Sequence, residues 1–177
     1  MLKKQAHRPA HLFLDNSPYF ITASTHKKRP LLNDTIKIQL LELMREAYQS
    51  CQWRFEHWVI LNNHYHIMVH SDKGEDLSKI IGRIHYKSGQ LIRETQGNYK
   101  HIWWNYWDYC PRDENDYWVR LNYLLLNPIK HGYTDNLNDY PFSSFHQLLA
   151  ETGREALMRQ FKDHAEYKNL IVPEDDF

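Results

Sequence analysis

The chain has 177 residues, with 22 Lys and Arg, 22 Asp and Glu, and a formal net charge of zero at pH 7. This length suits one domain with a buried core, and no apolar run approaches the roughly 18 residues of a membrane-spanning helix. Cys51 and Cys110 form no Cys-x-x-Cys pair, so neither a zinc knuckle nor a disulfide framework is indicated. The basic amino terminus lacks the apolar stretch of a signal peptide. We therefore expect a cytoplasmic protein.

The charge is unevenly distributed along the chain. Residues 1–130 hold 18 Lys and Arg against 13 Asp and Glu, whereas residues 131–177 hold 4 against 9. A zero total charge argues against nucleic-acid binding, because phosphate binding usually leaves a basic surface. The body of the chain is nevertheless basic, and the acidic carboxyl-terminal part hides this in the total. Ordinary scatter gives a surplus of this size in small domains as well.

Apolar and aromatic patterns predict four strands and several helices. Strands are predicted where β-branched and aromatic residues cluster, and helices where apolar residues recur at helical spacing behind a capping side chain. In chain order we predict a strand at Tyr19–Thr25, a helix from Asn33 or Asp34 to about Ser50, strands at Phe55–Leu61 and His64–His70, a helix from Leu77 to about Glu94, a strand at Trp103–Tyr109, a helix capped by Asp113 and ended by Asn127-Pro128, helical residues from Leu148 to Phe161 interrupted near Gly153, and a loose acidic tail at Val172–Phe177.

The order of these elements predicts the fold class. The turn sequence Asn62-Asn63 makes the second and third strands a hairpin. Strand, helix, strand, strand, helix, strand is typical of an α+β fold, a ferredoxin-like antiparallel sheet with helices packed on one face, here followed by a C-terminal helical extension. Such a sheet leaves its other face open, with the His64–His70 strand in the middle.

Two short segments carry the candidate chemistry. In a strand, His64 and His66 point to the same face and could share one metal ion. In a helix, Tyr123 and Asn127 lie one turn apart on one face. Two imidazole nitrogens, an amide oxygen and a phenol could therefore meet at one metal ion, which suggests chemistry on a phosphodiester with Tyr123 as the nucleophile. Each segment is unspecific alone, because the chain has 12 His and 12 Tyr.

Two further patterns could serve nucleic-acid binding. Lys79, Arg83 and Lys87 form a cationic stripe along the second helix. This stripe is either a solvated face or a row of phosphate contacts, and the second interpretation matters only if the stripe borders the histidine pair. The aromatic strand Trp103–Tyr109 serves packing, but one or two exposed rings could stack on unpaired bases.

Several motifs carry a resemblance to a known family through their order and spacing. The motifs are Trp58–His66, Trp107-Asp108, Arg112–Glu114, Asn122–Gly132 and Tyr140–Phe145. In these motifs the chain resembles the REP-associated tyrosine transposases, relatives of the single-tyrosine insertion-sequence transposases within the HUH endonuclease group. The match runs from about Tyr19 to Phe145, and its most specific block is the asparagine-proline-x-lysine-histidine-glycine sequence.

The resemblance implies an enzyme and its site residues. It implies that His64 and His66 are metal ligands, that Asn127 is the third ligand and that Tyr123 is the nucleophile. The cofactor would be a divalent metal ion, Mg²⁺ or Mn²⁺, and the product a covalent 5′-phosphotyrosine with a free 3′-hydroxyl. The substrate would be single-stranded or hairpin DNA of the REP type. Residues 1–150 would form the catalytic domain, and residues 151–177 a helical extension and acidic tail of the same domain.

Our candidates for DNA phosphate contacts lie on two helices. They are Lys130 and His131 after the tyrosine segment, together with Lys79, Arg83 and Lys87 of the cationic stripe.

Two other classes of protein stay open at this point. A non-catalytic module could hold single strands on its open sheet face, as an RNA-recognition domain does, and it would need neither metal nor Tyr123. A structural protein could simply bury its histidines. The sequence also leaves a monomer and a homodimer undecided.

Overall fold

The computed structural model describes residues 13–172. The basic amino terminus and the predicted acidic tail, apart from Val172, lie outside the described residues. Every predicted strand and helix is present, and Gly153, at a φ of +80°, separates the last two helices. The elements are β1 (Pro18–Thr25), α1 (Asp34–Ser50), β2 (Arg54–Ile60), β3 (His64–His70), α2 (Leu77–Gln96), β4 (Trp103–Tyr109), α3 (Glu114–Lys130), α4 (Phe145–Thr152) and α5 (Arg154–Asp163).

The four strands form one antiparallel sheet in the order β2-β3-β1-β4. This is the predicted ferredoxin-like arrangement, with the histidine strand β3 in the interior of the sheet. His66 pairs with Thr22 of β1 on one side and with Val59 of β2 on the other. A central strand has both edges hydrogen-bonded, so its side chains are held in a fixed position.

Alternation along β3 directs its side chains into two cores. Tyr65, Ile67 and Val69 are fully buried in the core between the sheet and the helices α1 and α2. The alternate residues, including His64 and His66, face the other side of the sheet, because successive strand residues point to opposite faces. The same alternation therefore builds the main core and presents the histidine pair.

The second face of the sheet is covered in part. Helix α3 packs there against β2 and β3. The expectation that this face is open was wrong at these two strands, because α3 carries an apolar stripe that must itself be covered. Helices α1 and α2 lie on the predicted face. The cluster beneath α3 includes Phe20, Val59 and Met68 from the sheet, Leu61 from the turn after β2, and Leu121, Leu124 and Leu125 from the helix.

Helix α3 continues through Pro128 to Lys130, so its predicted end at Asn127-Pro128 was wrong. Pro128 removes one backbone N–H donor without ending the helix. The helix ends two residues later, at Lys130, in a Schellman motif that satisfies its last carbonyls. Gly132, at a φ of +68°, donates its N–H to the Ile129 carbonyl at 3.0 Å, and Tyr133 donates to the Pro128 carbonyl at 2.8 Å. This ending keeps Lys130 in the last helical turn.

The C-terminal helices extend the second core. Asn122 of α3 donates from Nδ2 to the carbonyls of Gln160 and His164, at 3.1 Å each. Leu157 of α5 is buried in the cluster beneath α3. The boundary predicted at residue 150 falls within α4. None of the helices in residues 13–172 has the length and apolar character needed to cross a membrane.

Candidate active site

Polar neighbours orient both histidines of β3. His64 is 2% exposed, and its Nδ1 lies 2.7 Å from Asn63 Oδ1. His66 is fully buried, and its Nδ1 lies 2.7 Å from Thr22 Oγ1 on β1. Because an amide oxygen only accepts, Nδ1 of His64 is the donor in its contact. In metal proteins, such partners on one ring nitrogen fix the other nitrogen for coordination.

Three residues of α3 face these histidines. Asn127 Oδ1 lies 3.1 Å from His64 Nε2. The ring of Tyr123 stands edge-on to that of His66, with centroids 5.6 Å apart. Lys130 donates a hydrogen bond from Nζ to the Tyr123 hydroxyl at 2.8 Å. The structure thus brings the two histidines, the tyrosine and the amide together on one face of the sheet, and it adds Lys130.

The nitrogen and oxygen atoms of this site that carry free lone pairs are of the kind that bind a cation. A neutral imidazole donates through one nitrogen only, and Nδ1 of His64 already donates to Asn63. The lone pair of Nε2 then faces another acceptor, Asn127 Oδ1, at 3.1 Å. A metal ion held between these two acceptors would remove their repulsion.

The available ligands also limit which metal suits the site. In the described part of the chain, no three His, Cys, Asp or Glu side chains lie close enough together to hold a metal ion. The fully buried amide of Asn127 lies beside His64 and would be available as a third protein ligand. Two imidazoles and an amide oxygen suit Mn²⁺ well and Mg²⁺ less tightly. The ring of His131 lies 5.0 Å from that of His64 and borders the site.

A buried carboxylate holds α3 in position over the sheet. Tyr109 of β4 donates to Asp116 Oδ2 at 2.7 Å, and Arg120 donates from Nε to Asp116 Oδ1 at 3.1 Å. Burial alone would raise the pKa of Asp116, but hydrogen bonds from Tyr109 and Arg112 and the charge of Arg120 lower it below its usual value. The ionised carboxylate ties the first turn of α3 to β4.

The cationic stripe does not border this site. Lys79, Arg83 and Lys87 lie on α2, which packs on the face of the sheet opposite to the histidine pair. Lys87 pairs with Glu46 at 3.5 Å and Lys79 with Asp76 at 3.8 Å, while Arg83 also contacts Glu46. Their role as DNA contacts stays a prediction, but they do not line the candidate site.

Sequence patterns do not reveal three features of the site. Asn63 reads only as a turn residue, and Thr22 is one of several threonines in a strand. The pairing of β1 with β3 places Thr22 beside His66, and the side-chain orientation of Asn63 places its Oδ1 beside the ring of the next residue, His64. Lys130 is predicted as a phosphate contact, whereas its amine contacts the Tyr123 hydroxyl. The spacing of seven residues, two helical turns, was the available signal.

Comparison with known families identifies the class of protein. Residues 14–112 match the family described as "Transposase IS200 like". This match spans more than half of the chain. The chain therefore belongs to the IS200-like transposase family, which consists of DNA-processing enzymes.

Individual relatives agree with the resemblance seen in the sequence motifs. The chain is 25% identical over 145 residues to the REP-associated tyrosine transposase of Escherichia coli (strain K12), covering 78% of this chain and 82% of that protein. A relative from Haemophilus influenzae (strain ATCC 51907 / DSM 11121 / KW20 / Rd) is 28% identical over 137 residues, covering 66% and 77%. A solved structure of a REP-associated tyrosine transposase bound to a REP hairpin shares the fold, with a TM-score of 0.67 and 23% identity over 81% of this chain and 86% of that chain.

Proposed function

We propose that this transposase is a metal-dependent transesterase that cleaves and rejoins single-stranded DNA at REP-like hairpins through a covalent 5′-phosphotyrosine on Tyr123. One observation carries the proposal. The Tyr123 hydroxyl accepts a hydrogen bond from Lys130 at 2.8 Å, beside two histidines and an amide whose donor set fits a divalent ion.

Lys130 supplies what a tyrosine nucleophile needs. A free tyrosine has a pKa near 10, so its neutral phenol attacks phosphorus poorly at pH 7. An ammonium group at hydrogen-bond distance stabilises the negative charge that develops on the phenolate oxygen. It also holds that oxygen in one position, and such positioning lowers the entropic cost of the attack. Lys130 would in addition meet any phosphate that reaches Tyr123.

The imidazoles and the amide would hold the divalent ion. Its ligands would be Nε2 of His64, Nε2 of His66 and Oδ1 of Asn127. When bound, the ion supplies a Lewis acid that withdraws charge from the scissile phosphate. Thr22 and Asn63 keep both imidazoles oriented for this role. His131, next to His64, could contact the phosphate on the open side of the site.

The proposed reaction balances without an external energy source. The Tyr123 oxygen attacks the phosphorus and loses its proton to water, and the bond from phosphorus to the 3′-oxygen breaks. The departing 3′-oxygen takes up a proton and leaves as a hydroxyl. One phosphodiester bond is thereby exchanged for a phosphotyrosine bond. Attack by a 3′-hydroxyl on that bond rejoins a strand and restores Tyr123.

A labelled hairpin tests this function. Protein is incubated with a REP-like DNA hairpin that has unpaired flanks, in Mn²⁺ or Mg²⁺, and run on a denaturing gel. We expect a protein–DNA adduct when the label is at the 3′ end, and a free fragment when it is at the 5′ end. Tyr123→Phe should form no adduct. Tyr117→Phe, on the same helix but bonded to Glu56, should form it normally.

The same experiment distinguishes the alternative class. Absence of an adduct with the wild-type protein, or an equal yield from Tyr123→Phe, contradicts the proposed mechanism. Hairpin binding of undiminished affinity without metal and without any adduct would instead indicate a non-catalytic single-strand-binding module.

A further inference from the structure

A second surface of the molecule combines positive charge with exposed rings. We call it the basic-aromatic surface. Its two segments, residues 26–29 and 97–104, contain four Lys and Arg and no Asp or Glu. Backbone contacts join them, because His26 donates its N–H to the Ile102 carbonyl at 2.7 Å. The side chains that form this surface are those of His26, Lys27, Lys28, Arg29, Lys100, His101 and Trp104.

Three rings of this surface lie close together, and none of them is fully buried. The ring of His26 contacts those of His101 and Trp104, with centroids 5.4 Å away in each case. Trp104 is 51% exposed although it carries a large apolar ring. A register shift accounts for its position. Ala23 pairs with Tyr106 and Thr25 with Trp103, so β4 has one more residue than β1 at this point. Such bulges redirect a side chain and are frequent next to active sites.

The basic loop after β1 is held in a strained conformation. Lys27 and Lys28 have φ values of +60° and +53°, a region that costs an ordinary residue roughly 1–2 kcal/mol. Two side chains hold the loop in place. Thr25 donates from Oγ1 to the Arg29 carbonyl at 2.6 Å, and Asn63 donates from Nδ2 to the Lys28 carbonyl at 3.2 Å. Strain of this kind tends to persist at ligand-binding sites.

The surface has a positive field and adjoins the candidate active site. Burial and then the charges of Arg29, His101 and Lys27 lower the pKa of His26. Asn63, which bonds the Lys28 carbonyl, also lies 2.7 Å from His64 Nδ1 through its Oδ1. One side chain therefore separates the basic loop from the histidine pair.

We infer that the basic-aromatic surface binds the single-stranded flank of the DNA substrate, with a base stacked on Trp104 and phosphates held by Lys27 and Lys100. This inference rests on the proposed function for the identity of its ligand. An exposed ring beside lysines matches the way proteins hold unpaired strands, in which bases stack and the backbone meets positive charge. Its position beside His64 would lead the strand toward Tyr123.

Binding without catalysis tests this inference. Anisotropy of a fluorescein-labelled hairpin is measured in EDTA with proteins that all carry Tyr123→Phe, once with unpaired flanks and once blunt-ended. Trp104→Ala should bind the flanked hairpin on the order of 10-fold more weakly and the blunt hairpin unchanged. Tyr86→Ala is the matched control, because Tyr86 is 66% exposed on α2, in the opposite layer.

Salt dependence tests the two lysines. Lys27→Ala and Lys100→Ala should each reduce the slope of log affinity against log salt by about 0.7 for the flanked hairpin, the value expected for one phosphate of a single strand. Arg45→Ala, at an exposed position of α1 that is not among the predicted DNA contacts, should leave this slope unchanged. Unchanged binding by Trp104→Ala, or an equal loss with both hairpins, overturns the inference.

This measurement is independent of the nicking reaction. No divalent metal is present and Tyr123 is replaced, so failure to form an adduct leaves the binding result intact. Conversely, the wild-type protein could form the adduct at normal yield while Trp104→Ala binds the flanked hairpin normally. This pair of results would uphold the proposed function and overturn only this inference. A thermal melt identical to that of wild type shows that the exposed Trp104 is not needed for folding.

Discussion

Lys130 and Tyr123 are the most informative pair of side chains in the site, because the lysine amine lies 2.8 Å from the tyrosine hydroxyl. Tyr123 is only 3% exposed, so its hydroxyl lies where a hydrogen-bonded charge acts with little screening by water. Seven residues separate the two on α3, which aligns them along one face of the helix.

Replacing this lysine should slow the reaction in a pH-dependent way. Lys130→Met should lower the rate of adduct formation on the order of 100-fold at pH 7, the typical effect of removing one charge-stabilising donor. The deficit should shrink as the pH rises toward 10, because phenolate then forms without assistance. Lys130→Arg should recover much of the rate. The rate is measured from pH 6 to 10, and a constant deficit across this range would mean that Lys130 does not act on the phenolate.

Asn63 should affect metal binding although it is not a proposed ligand. Asn63→Ala removes the acceptor on His64 Nδ1 and should weaken Mn²⁺ binding by roughly 10- to 100-fold, as losses of such orienting partners do. Electron paramagnetic resonance of free Mn²⁺ during a titration gives the affinity. Asn62→Ala is the control, because Asn62 contacts Tyr133 through its backbone. Equal Mn²⁺ affinities of the two variants would show that Asn63 does not orient His64 for metal binding.

These residues mark the limit of what the sequence predicts at this scale. His64, His66, Tyr123 and Asn127 could be found from spacing and from family motifs. Thr22 could not, because its contact with His66 depends on the register between β1 and β3, which is a tertiary property.

At the scale of elements, the end of α3 explains the most specific motif of the chain. The asparagine of that motif faces His64, the lysine reaches Tyr123, and the glycine ends the helix. Pro128 does not stop the helix, because the Schellman motif closes the last turn around it. Apolar periodicity predicts where the strands and helices lie. It does not predict the backbone hydrogen bonds that end α3.

Two glycine-to-alanine substitutions should distinguish the effect of the backbone conformation at the end of α3 from that of ordinary helix propensity. Gly132→Ala should destabilise the protein by about 1–2 kcal/mol, because φ is +68° and no neighbouring atom lies within 4 Å to add a clash. Gly82→Ala, in the interior of α2 and also without neighbours, should stabilise by up to about 1 kcal/mol. Urea denaturation gives both values. Effects of the same sign would show that the φ of Gly132 is not what selects glycine.

At the scale of the whole molecule, the sheet separates the layer of the main core from the layer that carries the candidate active site. Helices α1 and α2 cover the main core, and their cationic stripe pairs with acidic neighbours. Helix α3 covers the histidine face. The sequence predicts the first layer well, since it follows from periodicity, but which strands α3 covers depends on long-range packing.

The main core should make stability sensitive to acid. The ring of His85 stacks on Trp103 with centroids 4.4 Å apart, and burial lowers the pKa of His85 to about 3. The unfolded chain, with a histidine pKa near 6.5, binds the proton more readily between these values. The free energy of unfolding should therefore fall as the pH drops below about 6.5, by up to about 1.4 kcal/mol per pH unit from this residue.

Removing the imidazole tests this account of acid sensitivity. His85→Phe keeps the ring stacking on Trp103. The slope of the unfolding free energy against pH between 4 and 6 should decrease by up to about 1.4 kcal/mol per pH unit, which corresponds to one proton. The loss of the contact with the Tyr65 hydroxyl, at 3.0 Å, lowers stability by a constant amount and leaves the slope unaffected. An unchanged slope would assign the acid sensitivity to other groups.

The central claim is that Tyr123 forms the covalent bond with DNA, and mass spectrometry of the adduct tests it most directly. Trypsin cuts after Arg120 and Lys130, and the resulting peptide contains Tyr123 as its only tyrosine. The claim predicts a nucleotide attached to this peptide through a 5′-phosphate. Attachment to another tyrosine, such as Tyr117 in the preceding peptide, or an adduct that forms without any modified tyrosine, would contradict it.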